Sequence, residues 1–275
     1  FDRIDLSIQT RAVLNEKRLI LAGLPSQDSF EALLVGLLPG HLPSIYLEGY
    51  SRLRDEVMQR FPKKFSAIIS LVGWHFHEPF KLLAAETAAQ GGRLIGAQHG
   101  GGYGLYRALP LEQHEREICD TYLTWGWGTK RKDRNVPMPE QTSKRSTKPM
   151  HQQGVVFVAT TNPRYFYRFF STPQGSQLDE YWDWQLRFIK AIPESLRAEL
   201  KFRRHPQQFG HGVTARLKRS FPSLVLDQTA SFQQVLAQNR LILIDHLATP
   251  ALEALVANRP TIFFWDQNRW EVRDE

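Results

Sequence analysis

The sequence predicts an α/β protein made of two Rossmann-like domains. Short apolar runs, typical of buried parallel strands, alternate with helical segments of roughly 10 to 15 residues, which is the pattern of βαβ units. The alternation stops once, in a polar and basic segment, and then starts again. We therefore expect an N-terminal domain over residues 1–128, a basic linker over 129–153 and a C-terminal domain over 154–275.

In the first half, each predicted strand is a short apolar run that ends at glycine, at proline or at the start of a helical pattern. A polar amphipathic helix is expected over residues 1–18. Strands are predicted over residues 19–23, 44–49, 66–73, 93–97 and 121–126, and helices beginning at 29 and spanning 50–61 and 80–90.

The second half repeats the alternation with stronger apolar runs. Ser231 is expected to cap one helix, and Thr249 and Pro250 are expected at the N-cap and first position of another. Strands are predicted over residues 154–160, 200–204, 224–227, 240–245 and 260–265, and helices over 177–192, 213–221, 231–238 and 251–257.

The positive charge is concentrated in one segment. The 275-residue chain has a net charge of +7, and residues 129–149 contribute +5 of it, from seven Lys or Arg and two acidic residues. Because a nucleic-acid surface would spread such residues over a folded face, we expect no nucleic-acid partner. The segment suits either a solvated loop or a peripheral contact with anionic lipid headgroups at the inner membrane.

The sequence predicts a cytoplasmic protein, working at the inner face of the cytoplasmic membrane. No apolar run approaches the roughly 18 residues of a transmembrane helix, and no signal peptide is visible. The single cysteine, Cys119, excludes an internal disulfide and a cysteine-built zinc site, which fits a reducing compartment. Because the chain begins at Phe1 and not at methionine, we expect a segment upstream of it.

A glycine-rich loop follows the predicted strand over residues 93–97. Its members are Gln98, His99, Gly100, Gly101, Gly102, Tyr103 and Gly104. Consecutive glycines allow the backbone to turn sharply, and successive N–H groups in such a turn can bind a phosphate or a carboxylate. His99 is expected at the end of the strand, where open α/β sheets bind their ligands. The alternative is a plain glycine turn beside a structural histidine.

The second half offers a cationic cluster and a helix start. Arg203, Arg204 and His205 end a predicted strand, and their side chains suit a phosphate, although a surface arginine pair is the alternative. Thr249 opens a helix whose N-terminus favours anions, and ordinary capping is its alternative role. Asp245 and Glu253 could accept hydrogen bonds from a ribose or a base.

Carboxylates for proton transfer or nucleophilic attack are expected in the first half. Glu48 and Glu78, like His99, lie at or just past predicted parallel strands, so the three could face one crevice. The alternative for Glu78 is to offset a helix dipole. His75 and His77 lack a third ligand, so no metal site is expected. The dinucleotide, phosphate-loop nucleotide-binding and α/β-hydrolase motifs are absent from the sequence.

Three stretches resemble the transferases of bacterial surface-carbohydrate biosynthesis, which build lipopolysaccharide, O-antigen and capsule. They are residues 98–104, residues 122–127, and residues 260–265 with Trp270 and Glu271, and the resemblance covers most of the chain. The His205–Pro206 pair is similar to the histidine–proline motif of sialyltransferases and bacterial Kdo transferases with a GT-B-like fold, in which that histidine contacts the phosphate of a CMP-sugar.

The resemblance implies a GT-B-like glycosyltransferase that uses a CMP-activated donor, with Kdo or a related 2-keto sugar acid first, and needs no metal or other cofactor. His205 would then bind the phosphate, and Thr249 with Glu253 would line the nucleotide pocket. The resemblance does not identify the catalytic carboxylate, so the catalytic residues expected from their positions are Glu48 or Glu78 with His99. The glycine loop, Gly100 to Gly102 with Tyr103, would contact the donor. The acceptor would be a glycan or a glycolipid.

Two other functions are compatible with the same residues. One is an epimerase or transferase of the same architecture that uses a UDP-sugar. The other is an envelope protein that binds glycans without catalysis. The identities of the donor sugar and of the acceptor, and the choice between inversion and retention, are not predicted.

Overall fold

The computed structural model describes residues 16–128, 134–139, 154–165, 172–207 and 209–274. The chain divides into two compact units, residues 1–95 and residues 96–275. Each unit contributes helices and strands, so the α/β prediction is confirmed. The predicted domain boundaries, with a linker over 129–153, stay predictions, because most of that segment lies outside the described residues.

The first unit opens with a pair of helices. Helix α1, Glu16–Ala22, packs against helix α2, Ser29–His41. The expected strand over residues 19–23 is therefore wrong, since a short apolar run alone does not distinguish a strand from a helix. The helix expected over residues 1–18 lies mostly outside the described residues.

The strand expected over residues 44–49 is also wrong. Residues Ser44–Tyr46 form a single 3-10 turn that leads into helix α3, Tyr50–Arg60, which the sequence predicts. The turn is closed by the N–H of Leu47, which donates to the carbonyl of Ser44 at 3.1 Å. Such a turn needs only local hydrogen bonds, whereas a strand needs a partner in a sheet.

The rest of the first unit follows the predicted alternation. Strand β1, Ala67–Ser70, is followed by a short helix α4, Gly73–Phe76, and by helix α5, Glu78–Ala89. Strand β2, Arg93–Ala97, comes next and begins beside β1. Helices α3 and α5 share an apolar core, formed by Leu53, Val57, Leu82 and Leu83.

The second unit starts within β2 and first adds three elements. Helix α6, Pro110–Ile118, leads to strand β3, Thr121–Thr124, which lies beside the end of β2. Strand β4, Asn135–Pro137, then pairs with β3 in parallel, with Asn135 opposite Tyr122. The sequence predicts β3 but not α6 or β4, and β4 lies inside the segment expected to be a linker.

A second sheet of five strands forms the larger part of this unit. All its neighbouring strands are parallel, in the order β7-β6-β5-β8-β9. Its first strand in sequence, β5, is therefore central. The strands are β5, Val155–Val158; β6, Leu200–Arg203; β7, Val225–Leu226; β8, Leu241–Ile244; and β9, Thr261–Phe263. Each lies within a predicted strand.

Helices connect the strands of this sheet. Helix α11 begins at Thr249, and its N-cap is Ala248, whose side chain makes no capping hydrogen bond. The expected position of Thr249 at the N-cap is therefore wrong. Ser231 does occupy an N-cap but makes no side-chain hydrogen bond there. The helices are α7, Leu178–Ala191; α8, Glu194–Glu199; α9, Val213–Ser220; α10, Phe232–Gln238; and α11, Thr249–Val256.

The five-stranded sheet is buried on both faces, as helix-covered parallel sheets are. One face packs Phe157 against the rings of Phe188 and Phe202, with centroid distances of 5.4 and 5.2 Å. The other face packs Val156 and Val158 with the apolar side chains of α10 and α11. This two-sided burial explains why the sequence shows the central strands β5 and β8 as continuous apolar runs, whereas β6 alternates.

Replacement of Phe157 by alanine is expected to destabilise the second unit by about 3 to 5 kcal/mol, because its fully buried ring fills the centre of the sheet's core. Urea unfolding followed by circular dichroism measures the loss. The matched control is Ile262→Ala on edge strand β9, where the side chain is 50 % exposed, and a cost below about 1 kcal/mol is expected. Equal costs would contradict this assignment of the core.

Candidate functional site

The five-stranded sheet has a topological switch point between β5 and β8. The chain leaves β5 towards β6 on one side and leaves β8 towards β9 on the other, although β5 and β8 are neighbours. The loops at their carboxyl ends therefore diverge and leave a crevice, which is where open α/β sheets bind ligands. Residues 159–162 and residues 245–249 form these two loops.

The glycine loop after β2 meets the second of these loops. The N–H of Gly101 donates to Thr249 Oγ1 at 3.2 Å, which is the role that Thr249 has in place of capping α11. The backbones approach so closely that a Cβ at Gly101 would lie 2.5 Å from Ala248 C and from Thr249 N. Only glycine fits there, because the backbone of residues 248 and 249 fills the space that a side chain would need. Binding of a phosphate or carboxylate by the loop stays a prediction.

Tyr106 adds a second tie across the same junction. Its hydroxyl donates to the carbonyl oxygen of Leu247, and burial raises the pKa of that hydroxyl to about 12. Tyr106 therefore stays protonated at physiological pH and keeps its donor. Together with the Gly101 bond, it fixes the glycine loop to the start of α11.

An open cleft of about 650 Å³ lies at this junction. Its size is in the range of small-molecule sites in proteins. Its lining combines the glycine loop, the start of α6, the loop after β5, the start of α11 and the segment after β9. The lining residues used below are His99, Gly100, Gly101, Asn162, Thr249 and Arg269.

The side chain of His99 lines this cleft, and the buried carboxylate of Glu115 lies next to it. The His99 side chain is 28 % exposed, and its Nδ1 lies 3.9 Å from Oε1 of Glu115, which is fully buried. The ring of Tyr103 packs edge-on against His99 with a centroid distance of 4.8 Å. A histidine with one face towards a cleft and a carboxylate at its back is suited to accept a proton.

Glu115 is held by two tyrosines. Tyr103 and Tyr122 donate to its carboxylate at 3.0 and 2.6 Å. Burial raises the pKa of Glu115, and the two hydrogen bonds partly offset that rise. The carboxylate also raises the pKa of Tyr122 far above its usual range, with burial as the larger cause, so Tyr122 remains a donor.

Arg204 and His205 lie at the carboxyl end of β6, at a smaller cavity of about 20 Å³. Arg204 Nη1 and Thr161 Oγ1 line it and are buried without a hydrogen-bond partner in the described part of the chain. Burial lowers the pKa of His205, a hydrogen bond with the Gln207 backbone partly offsets this, and nearby His246 lowers it further. These groups leave donor capacity for an oxyanion.

Arg203 points away from that cavity into the protein. Its guanidinium forms an ion pair with Asp227 at 2.5 Å and donates to the carbonyl of Thr229 at 2.7 Å. Alternation along a strand sends neighbouring side chains to opposite faces, which separates Arg203 from Arg204. A direct role of Arg203 at the site stays a prediction, and the structure gives it a structural ion pair.

Asp245 is fully buried at the end of β8 and organises its surroundings. Tyr181 and Gln185 of α7 donate to its Oδ2 at 2.8 and 2.7 Å, and His246 Nδ1 lies 3.1 Å from its Oδ1. These bonds hold the loop after β8 in place. Glu253 lies one turn after Thr249 on α11 and is partly exposed. Contacts of Asp245 or Glu253 with a nucleotide stay predictions.

Glu48 and Glu78 lie in the first unit. Glu48 does not follow a strand, which removes the reason for expecting it at a sheet edge, and it pairs with buried Arg18 through Oε1 at 2.6 Å and Oε2 at 2.9 Å. Arg18 lowers the pKa of Glu48. Glu78 begins α5, accepts from the Tyr46 hydroxyl at 2.7 Å and pairs with Lys81 at 2.6 Å. A catalytic role for either stays a prediction.

Sequence reasoning missed the acidic residues of α6. Glu112 and Glu115 are three residues apart and so lie on one side of the helix, and both are buried. One feature of the sequence could have predicted them. The two glutamates are spaced to share one helix face, and the segment starts with Pro110, which is favoured at the first helical position. What the spacing did not reveal is that this side of α6 faces inward.

Within the described ranges, no group of three or more His, Cys, Asp or Glu side chains is arranged to hold a metal ion. Among the helices described, none has both the length and the apolar composition needed to cross a membrane.

Comparison with known proteins gives a family for the whole chain. The sequence model described as LIC12162 family transferase matches residues 3–275. No curated protein matches the chain.

A solved structure of the wall teichoic acid polymerase TagF, a variant soaked with CDPG, matches with a TM-score of 0.36 and 9 % sequence identity. The match covers 78 % of this chain, which spans 65 % of that chain's length. A likeness at this level supports no inference about the function of this protein.

Replacement of Gly101 by alanine is expected to cost about 1 to 3 kcal/mol, because the added methyl group would overlap the backbone of residues 248 and 249. Gly100→Ala is the matched control, since its Cβ would meet nothing closer than 3.9 Å and should change stability by less than about 0.5 kcal/mol. Urea unfolding of the two variants measures the difference. Similar stabilities would mean that the junction does not exist in solution.

Proposed function

Because the chain belongs to the LIC12162 family of transferases, we propose that it is a glycosyltransferase of GT-B-like architecture. It transfers a sugar from a nucleotide-activated donor to a glycan or glycolipid acceptor of the bacterial surface. The first candidate donor is CMP-activated Kdo or a related 2-keto sugar acid, as the similarity around His205 and Pro206 implies. The reaction needs no metal ion and no other cofactor.

The observation that supports this proposal most is the position of His99. Its ring faces the cleft at the junction of the two sheets, and Glu115 lies 3.9 Å behind it. Transfer to a hydroxyl group requires a base beside the acceptor oxygen and positive groups beside the leaving phosphate. In the cleft, His99 provides the base. The carboxyl ends of β5, β6 and β8 provide candidates for the groups that meet the phosphate.

In the proposed reaction, His99 takes the proton of the acceptor hydroxyl. The acceptor oxygen forms a bond to the anomeric carbon of the donor sugar, and the bond from that carbon to the phosphate oxygen breaks. The electron pair stays on the nucleoside phosphate that leaves. Glu115 stabilises the imidazolium that results and, with the Tyr103 ring, keeps His99 oriented.

Three kinds of group that donate hydrogen bonds or carry positive charge would meet the leaving phosphate. Arg204 has a buried nitrogen without a partner among the described residues, and His205 lies beside it. The N-terminus of α11 adds the positive end of its dipole next to Thr249. Arg269 also lines the cleft, but its guanidinium already pairs with Glu180 at 2.5 Å. It therefore holds the lining of the cleft in place more than it balances the charge of the phosphate.

The acceptor would be met at the inner face of the cytoplasmic membrane. The basic segment over residues 129–149 suits anionic headgroups. In the first unit, α1 and α2 expose large apolar side chains that suit an interfacial contact, namely Leu19, Ile20, Phe30, Leu33, Leu34 and Leu37.

CMP is expected to raise the melting temperature of the protein by several degrees at about 100 times its Kd, because it binds only the native state. The shift should survive EDTA and be larger than the shifts with UMP, UDP, GDP and ADP. His205→Ala should weaken CMP binding by about tenfold or more. His41→Ala, which removes an exposed histidine at the end of α2, is the control and should change nothing.

A shift selective for UDP would replace the CMP donor by a UDP-sugar, for a transferase or an epimerase. No shift with any nucleotide would overturn the donor site and favour a protein that binds glycans. An equal CMP shift in His205→Ala would remove the assignment of the phosphate to the end of β6.

His99→Ala is expected to lower kcat by about 10²- to 10⁴-fold while nucleotide binding is kept, because a general base is lost. Glu115→Gln should cause a smaller loss. Because a nearby carboxylate favours the imidazolium, this change should also move the acid limb of the pH–rate profile to lower pH. Release of CMP from CMP-Kdo in the presence of acceptor, over a pH series, measures both effects.

Glu194→Gln is the control for Glu115→Gln, since it makes the same chemical change at an exposed glutamate of α8 that does not line the cleft. Full turnover in His99→Ala, together with loss of turnover in Glu48→Gln or Glu78→Gln, would contradict the assignment and make that glutamate the base.

A further inference from the structure

A groove of about 530 Å³ lies next to the cleft, at the segment that follows the glycine loop. It is lined by residues of α6, by the residues around the start of β4 and by the C-terminal segment. Four of its lining residues are arginines and two are glutamates, so the lining itself is positively charged. The charged members are Arg107, Arg116, Arg134, Arg273, Glu112 and Glu117.

Two of these arginines are held in fixed positions by one carboxylate. Glu112 is buried and accepts from Arg116 Nη1 at 3.2 Å and from Arg273 Nη2 at 2.8 Å. Its other oxygen accepts from the N–H of Gly104 at 2.8 Å. The single negative charge of Glu112 therefore pairs with two guanidinium groups. The three side chains together keep one net positive charge.

The indole of Trp127 contacts the same two arginines. The guanidinium carbons of Arg116 and Arg273 lie 5.5 and 5.9 Å from its ring centroid. Cation–π contacts of this kind restrict a guanidinium group without neutralising it. The two arginines are therefore ordered before any ligand arrives, which lowers the entropy cost of binding.

The groove also contains a buried donor that lacks a partner among the residues the structure describes. Asn135 is only 5 % exposed, and its Nδ2 has no hydrogen-bond partner in the part of the chain that the structure describes. Buried polar groups are rarely left in this state, because the missing bond costs stability. The neighbouring Arg134 is exposed and donates one bond, from Nη1 to the carbonyl of Cys119 at 3.1 Å.

The rim limits where an anion can sit. Arg107 forms an ion pair with Asp274 at 3.1 Å and lies 4.0 Å from Glu271, so its charge is balanced. Glu117 adds a negative charge on the α6 side. The uncompensated positive charge therefore lies towards Arg134, Asn135 and the Arg116–Arg273 pair.

This groove meets the cleft that holds His99. Ala108 and Leu109 line both, so the two cavities adjoin at one short segment. A ligand with an anionic group in the groove can extend past this segment and place a hydroxyl group in the cleft.

We propose that the groove binds an oxyanion, phosphate or carboxylate, carried by the acceptor glycan. Arg134 and Asn135 donate to the oxyanion, and the Arg116–Arg273 pair supplies the field that attracts it. The inference rests on the proposed function, since it assigns the acceptor side of the same reaction. The acceptor is thus an acidic or phosphorylated sugar and not a neutral one.

The test uses glucose 6-phosphate, glucuronate and glucose as probes, in ligand-observed NMR titrations of the whole protein at low salt. CMP is kept at saturation so that the donor site is filled. We expect glucose 6-phosphate or glucuronate to bind and glucose not to bind, and the stronger of the two identifies the oxyanion. Arg134→Gln and Asn135→Ala should each weaken that binding by about tenfold or more.

Arg187→Gln is the matched control, because it removes an exposed arginine on α7, far from the groove in the fold, with the same change of charge. CMP binding should be the same in all four proteins, including the unchanged one. Since Arg134 is exposed, its replacement should leave the fold intact, and Asn135→Ala supplies an independent second reading.

Four outcomes would overturn the inference. Equal binding of glucose would remove the role of the oxyanion, and unchanged binding in both groove variants would place it elsewhere. Binding seen only without CMP would assign the phosphate to the donor site. Absence of probe binding with normal CMP binding would end this inference and leave the proposed function standing, whereas absence of CMP binding would count against the proposed function itself.

Discussion

The contact between Gly101 and the first turn of α11 is the constraint on which the candidate site depends. It places the loop after β2 directly on the loop after β8, with the Gly101 N–H bonded to Thr249 Oγ1. A side chain at position 101 would hold the two backbones apart. Because the contact joins the ends of strands from two different sheets, it decides what faces the cleft, including His99 and the start of α11.

Helix α6 gives the site its buried negative charge. Glu115 lies behind His99, and Glu112 orders Arg116 and Arg273 in the neighbouring groove. Each buried carboxylate is surrounded by donors, which is the condition under which such a group is tolerated. Helix α6 thus supports the basic histidine in the cleft and holds a pair of arginines in the neighbouring groove.

The strands of the five-stranded sheet could be predicted, most clearly β5 and β8, whose apolar runs are buried on both faces, as at Phe157. The run over residues 19–23 failed for the opposite reason. It is short and belongs to a two-helix pair, and Leu19 and Ile20 stay exposed, so no sheet burial selects a strand. Helix α6 was missed because most of its residues are polar, and strand β4 was missed because it has only three residues and lies within the basic segment.

By itself, the sequence determined the alternation of strands and helices, the glycine loop after β2, and the presence of His99 and His205 at strand ends. These features depend on local properties, namely hydrophobic runs and the conformational freedom of glycine. Only the tertiary structure decided that Glu115 lies behind His99, that Glu48 pairs with Arg18, and that Arg203 turns inward to Asp227. Which charges meet depends on how distant segments pack, and a linear pattern of residue types does not contain that information.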